Sequence, residues 1–189
     1  MNKQSNIPFQ RQVQALTVDY LREAIDYDPS TGNIRWRARP REHFATLNAF
    51  RTWNANFAGA SAGALNGGGY RIISIAGRRY NAHRIAWFFV TGAWPRDKID
   101  HINGIRDDNR IANLREATHC ENTRNYKRPS HNTSGFKGVS WFKRCGNWRA
   151  TIAIGRRNLH LGYFTTAEEA HKAYCTASKL YHGDFGRTA

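Results

Sequence analysis

Apolar positions along this chain come in short bursts separated by compact polar breaks, and the spacing within each burst predicts its element. Val18, Leu21 and Ile25 share a helical face, and Thr17 stands where an N-cap belongs. The segment Asp28-Pro29-Ser30-Thr31-Gly32-Asn33 is dense in turn formers, and Ile34-Arg35-Trp36-Arg37 then alternates like a strand. Residues 37–57 are basic and aromatic without a clear period and receive no assignment. Residues 59–69, rich in Gly and Ala, read as a loop feeding a hairpin. They lack both the GxxxxGK[ST] pattern and any lysine, so no phosphate-binding loop is expected. Residues 70–75 and 78–82 read as strands joined at Ala76-Gly77. Residues 83–90 read as an apolar helix stopped by Gly92 and Pro95.

Beyond Pro95 the pattern predicts a strand over 98–101, a polar loop over 103–108 and a second strand over 113–117. Thr118-x-x-Glu121 fits a capping box, so a helix should start at Thr118 with Asn122 in its first turn. Residues 124–134 are polar and basic. Three short strands follow at 136–141, 147–154 and 158–164. Overlapping capping boxes at Thr165 and Thr166 then start a helix with Ala170, Tyr174, Ala177 and Tyr181 on one face, widened by Ala173 and Leu180 and ended by Gly183. The expected class is α+β: a strand-loop-strand-helix region, then a small three-stranded sheet plus one helix. The expected organisation is a flexible tail over 1–15, a first region with its amino-terminal extension over 16–125, a basic linker over 126–134 and a small domain over 135–187.

Charge changes the picture. The chain carries 29 Lys+Arg against 14 Asp+Glu, a formal excess of +15, which implies a polyanionic partner. Residues 122–167 hold nine of these cations and no acid. A hydrophobic fraction of 40% supports a packed core. No apolar run is long enough to span a bilayer, and the polar start has no signal-peptide core, so a cytoplasmic protein without membrane attachment is expected. Cys120, Cys145 and Cys175 form no CxxC pair, so reduced, mostly buried thiols are expected rather than a zinc site or disulfides.

The candidate chemistry lies at Asp100-His101, with Asn113 and Asn122 following. Cutting a phosphodiester needs an activated water and neutralised charge on the phosphate. A neutral imidazole can take the proton from water near pH 7, and carboxylate and carboxamide oxygens suit a hard divalent ion. Adjacent strand residues point to opposite faces, so Asp100 and His101 can address metal and nucleophile separately. For any one of these residues taken alone, a capping or turn role is the commoner use. His83 reads as a packed histidine at a helix start, and Asp107 and Asp108 as solvated loop acids. His119, His131, His160, His171 and His182 show no metal-ligand spacing and read as surface or interface residues.

The set Asp100-His101, Asn103-Gly104, Asp108-Asn109, Asn113-Leu114 and Asn122 resembles the HNH, or His-Me finger, nucleases of phages and mobile introns. Tyr27-Asp28-Pro29, Thr31-Gly32, Trp36 and His83-Arg84 resemble the amino-terminal part of phage-type members. The resemblance implies a homing-type DNA endonuclease of a phage-carrying bacterial cell. It makes His101 the general base, Asp100 and Asn122 ligands of one Mg²⁺ or Mn²⁺, and Asn113 a brace for the loop that orients His101. Many members carry histidine where Asn122 stands, and an amide oxygen there favours Mg²⁺ or Mn²⁺ over Zn²⁺. No small-molecule cofactor is expected.

Gly135-Phe136-Lys137-Gly138-Val139, Trp148-Arg149-Ala150, Leu161-Gly162-Tyr163-Phe164, Thr166-Ala167-Glu168-Glu169-Ala170 and Ala173-Tyr174 resemble the plant Apetala/ethylene-response-factor DNA-binding domain. That family lays its sheet into the major groove of double-stranded DNA. The resemblance makes Lys137, Trp141, Lys143, Arg149, Thr151, Arg156, Arg157 and His160 candidates for the DNA face. Ser140, Phe142, Ala153 and Asn158 stand where plant members carry arginine, so plant target specificity does not transfer. Trp148, Leu161 and Phe164 read as core. Two other classes remain on the sequence alone: a non-catalytic DNA-binding regulator, and an RNA-binding protein with stacking surfaces.

Overall fold

The computed structural model describes residues 16–188; the tail expected over 1–15 lies outside the described residues. Helices and small antiparallel sheets alternate, as expected for α+β. The chain forms two compact units: residues 16–94 with 109–111, and residues 95–108 with 112–188.

In the first unit, the Thr17 hydroxyl accepts from the Tyr20 amide at 3.1 Å and starts α1, Val18–Ala24. Ile25 does not continue the helix, as its spacing predicted. It opens β1, Ile25–Tyr27, which pairs with β2, Ile34–Trp36. Between them Asp28 accepts from the Ser30 amide and from the Ser30 and Thr31 hydroxyls at 2.7–2.8 Å, which hold its carboxyl down to about 2. The unassigned stretch holds α2, Leu47–Phe57, capped by Thr46. Phe44 and Trp53 flank the buried Arg39 guanidinium, each 4.8 Å from ring centroid to its central carbon.

The strands β3, Ala64–Leu65, β4, Arg71–Ile75, and β5, Arg78–Asn81, form one antiparallel sheet in that order. Ala76 and Gly77 both have positive φ, 49° and 73°, the mark of a tight two-residue hairpin turn. α3, Ala82–Thr91, ends on Gly92 in the left-handed conformation. His83 is buried at its start, as expected. Leu21, Ile25, Ile73, Ile75 and Ile85 are the large fully buried hydrophobic side chains among the described residues of this unit. Residues 109–111 belong with it: the Tyr27 hydroxyl donates to the Asn109 carbonyl at 2.8 Å, and the Ile111 amide to the Pro29 carbonyl at 3.1 Å.

The second unit begins with β6, Lys98–His101, paired antiparallel with β7, Leu114–Ala117. α4, His119–Arg124, follows at once, and the predicted capping box between Thr118 and Glu121 is formed. Further on, β8, Val139–Phe142, β9, Asn147–Ile154, and β10, Arg157–Phe164, make a sheet with β9 central. α5, Ala167–His182, lays Ala170, Tyr174 and Ala177 on Val139, Ala150 and Ile152, with Trp148, Leu161 and Phe164 packed beside them.

Three expectations about this unit are corrected. Leu180 and Tyr181 are exposed, whereas Ser178 and His182 are buried, because the apolar face of α5 turns into a polar one over its last turn. There the His182 Nε2 bonds the Ala153 carbonyl at 2.7 Å, so this histidine is a core residue rather than a surface one. Cys120 and Cys145 are exposed and only Cys175 is half-buried, since the first two sit on the outer side of a one-and-a-half-turn helix and in a hairpin turn.

Candidate active site

The strand β6 is three-quarters buried, an unusual property for a segment reading Lys-Ile-Asp-His. Its register sets Asp100 opposite Arg115 and His101 opposite Leu114. Asp100 and His101 are 4% and 5% exposed. The Arg115 guanidinium grips the Asp100 Oδ2 through Nε at 2.9 Å and Nη2 at 2.8 Å. Asn125, the residue that ends α4, donates its amide to both Asp100 oxygens at 3.0 and 3.1 Å and to the His101 carbonyl at 2.8 Å. The helix is thereby tied to the end of β6 that carries the acid-imidazole pair.

Asn113 closes the loop. Its Oδ1 accepts from the Asn103 amide at 3.0 Å, and its Nδ2 donates to the Asp108 carbonyl at 2.8 Å. The Asn103 side chain reaches the Asp108 carboxylate at 2.6 Å, so this acid is engaged within the loop rather than simply solvated. Asn122 is half-buried on α4, and its carboxamide has no hydrogen-bond partner among the described residues. Among those residues no three His, Cys, Asp or Glu gather as a metal cluster. The residues that could hold a metal here offer the Asp100 carboxylate and the Asn122 carboxamide, hard oxygens that would suit an ion keeping several of its waters.

Sequence reasoning missed Arg115 and Asn125. Drawing the strand register would have exposed the first, because it makes a cross-strand acid-base pair with Asp100. The second stands three positions after Asn122, on the same helical face, in a run of polar residues that gives no other signal.

A carboxy-terminal segment completes this region. After α5 a single tight turn, Gly183–Phe185, brings the Asp184 carbonyl to the Arg115 Nη1 at 3.0 Å and the Phe185 ring to 3.7 Å from the Arg115 guanidinium carbon. The Arg187 Nη1 donates to the Asn103 carbonyl at 3.0 Å.

The candidate DNA-face residues are distributed unevenly. Alternation along β9 and β10 puts Arg149, Thr151 and His160 on the sheet face opposite α5, together with Ser140, Phe142, Asn158 and Tyr163. Lys143 lies in the β8–β9 turn, and Arg156 and Arg157 lie where β10 begins; all three are exposed. Trp141 pairs with Trp148 on the side of the sheet that carries Val139, their ring centroids 5.1 Å apart. Lys137 turns its ammonium onto the carbonyls of Arg124 and Tyr126 at 2.6 and 2.8 Å. Burial, with Arg187 nearby, pushes its pKa down to about 8.

A family model described as HNH endonuclease matches residues 80–124, the stretch from the end of β5 through α4. The chain is 36% identical over 106 residues to Protein 3.8 of Escherichia phage T7, a match covering 56% of this chain and 87% of the phage protein. No solved structure gives a significant match.

Proposed function

Since this chain belongs to the family of Protein 3.8 of Escherichia phage T7 and carries an HNH endonuclease domain over residues 80–124, we propose that it is a metal-dependent, homing-type endonuclease acting on double-stranded DNA. The observation that carries this reading is the buried Asp100-His101 pair at the end of β6, held by β7 and by the capped helix α4. His101 is the general base that takes the proton from the attacking water. Asp100 and Asn122 are the residues that would hold Mg²⁺ or Mn²⁺, which when bound would neutralise charge on the scissile phosphate and the leaving 3′ oxygen. Asn113 fixes the loop after His101, and Asn125 and Arg115 fix the carboxylate. The products are a 5′-phosphate and a 3′-hydroxyl.

In this reading DNA is held by the open face of the β8–β10 sheet. Arg149, Thr151 and His160 lie on it, and Lys143, Arg156 and Arg157 lie at its ends. Lys137, whose ammonium is given to two carbonyls, and the exposed Trp141, which stands beside Trp148 on the other side of the sheet, lie outside this open face. Basic side chains on such a surface displace counterions. If roughly six phosphates are neutralised, log K should fall with log salt at a slope of about −5.

Plasmid nicking tests the reading. Cleavage should need Mg²⁺, stop with EDTA, and fall by about 10²–10⁴-fold in His101→Ala, the range for loss of a general base. Undiminished cleavage by His101→Ala, or no metal-dependent cleavage of any DNA, would refute it. The second result would leave a DNA-binding regulator.

A further inference from the structure

The reading above places a divalent cation on Asp100. The inference that follows rests on that reading and concerns when the cation can bind. Asp100 is the sole carboxylate among the residues assigned to the metal, and Arg115 neutralises it at contact distance through Oδ2. The Asn125 amide on Asp100, and the Asn122 carboxamide assigned with it to the metal, add no formal charge. The Glu121 carboxylate, which closes the helix cap on Thr118 at 2.7–2.8 Å, lies in the field of both Arg124 and Arg115.

Asp100 and Arg115 therefore sum to no net charge. A doubly charged, strongly hydrated ion gains little by leaving water for such a place. Arg115 also cannot swing aside freely. Its Nη1 is bonded to the Asp184 carbonyl, and its guanidinium lies 3.7 Å from the Phe185 ring. Among the described residues the Asp100 Oδ1 accepts from Asn125 alone, so it keeps acceptor capacity that an ion could use.

We propose that Arg115 keeps the centre metal-poor in the free protein, and that the scissile phosphate, arriving with DNA, supplies the missing negative charge. Metal and DNA then bind as a coupled pair, and the carboxy-terminal turn enforces the coupling by holding Arg115 in place. Linkage requires the effect to be mutual: DNA tightens metal binding by the factor by which metal tightens DNA binding.

The test uses the full chain with Mn²⁺ as the probe, read by the paramagnetic resonance signal of free Mn²⁺. His101→Ala prevents cleavage. Without DNA, this protein should bind Mn²⁺ no more tightly than the His101→Ala/Asp100→Asn double variant. With linear plasmid DNA, a site that needs Asp100 should appear, and gel shifts should tighten with Mn²⁺ by the same factor. Adding Arg115→Gln should strengthen DNA-free Mn²⁺ binding by about tenfold or more, whereas Arg115→Lys, which keeps the charge, should not. A merely structural arginine would leave Mn²⁺ binding unchanged or weaken it on change to Gln.

An Asp100-dependent site as tight without DNA as with it overturns this inference and leaves the nuclease reading standing. Mn²⁺ binding that ignores Asp100 in both states overturns the metal assignment and the inference together. Should Arg115→Gln fail a thermal-melt check of folding, the comparison with and without DNA decides by itself.

Discussion

Asn125 donates one amide group to both carboxylate oxygens of Asp100 and, at 2.8 Å, to the carbonyl of His101, so a single side chain fixes the Asp100 carboxylate and the His101 backbone together. If Asp100 holds the metal as proposed, Asn125 orients a ligand, and loss of such a residue commonly costs about 10–100-fold in activity. Asn125→Ala should therefore slow single-turnover nicking by about that factor while gel-shift affinity in EDTA stays unchanged. Asn125→Asp should be worse, because it sets a second carboxylate against Asp100. Equal nicking by wild type and Asn125→Ala would remove this residue from the site.

Gly138 sits just before β8 with φ +76°, and a Cβ there would lie 2.1 Å from the Tyr174 ring. Gly138→Ala should cost about 2–4 kcal/mol, from the left-handed backbone and the overpacking combined. The denaturation midpoint reads the loss. Tyr174→Ala in the same chain should recover part of the Gly138→Ala penalty, since the clash is with that ring.

Ala76 occupies the first turn position of the β4–β5 hairpin with φ +49°, a conformation that L-residues other than Asn and Asp seldom adopt. Ala76→Gly should stabilise the protein by about 0.5–1 kcal/mol, which a shifted thermal midpoint will show. A lowered midpoint would mean that the hairpin does not strain this residue.

Burial lowers the pKa of both His43 and His182 below the usual 6.5, even though Glu23 and the Ala153 carbonyl each pull the other way. The unfolded chain then takes up protons before the folded one does. Their contribution is complete above pH 6.5 and declines as the pH falls below it. The thermal midpoint should drop between pH 7 and pH 5. His182→Gln should start lower at pH 7 and show a shallower decline. An unchanged slope would assign the acid sensitivity elsewhere.

Much of the finger was legible because its signals are local. β6 was bounded by residue pattern alone, and the Thr118 cap follows from a spacing that two hydrogen bonds require. β1 was not legible, because Ile25 continues the helical period of α1 and only its partner β2 turns it into a strand. α2 was missed because none of its residues is fully buried, so its pattern is set by stacking around Arg39 rather than by a clean apolar stripe. Within the candidate site, Asp100, His101, Asn113 and Asn122 stand out by type and order. The residues that hold them do not. Arg115 needs the strand register, Asn125 needs the packing of α4 on β6, and the turn at 183–185 lies about 70 residues along the chain from the arginine it supports.

The Arg115 contact with Phe185 also determines how this chain can be recombined. A graft that replaced everything after residue 134 with a foreign targeting domain, as the polar composition of 126–134 invites, would discard Phe185 and Arg187 along with the sheet. It would also discard Lys137, whose ammonium stitches the end of α4 in place. The donor of a new specificity would have to bring its own equivalent of those three side chains. If the open sheet face holds DNA as proposed, retargeting by point substitution on it leaves them untouched and is the more tractable route.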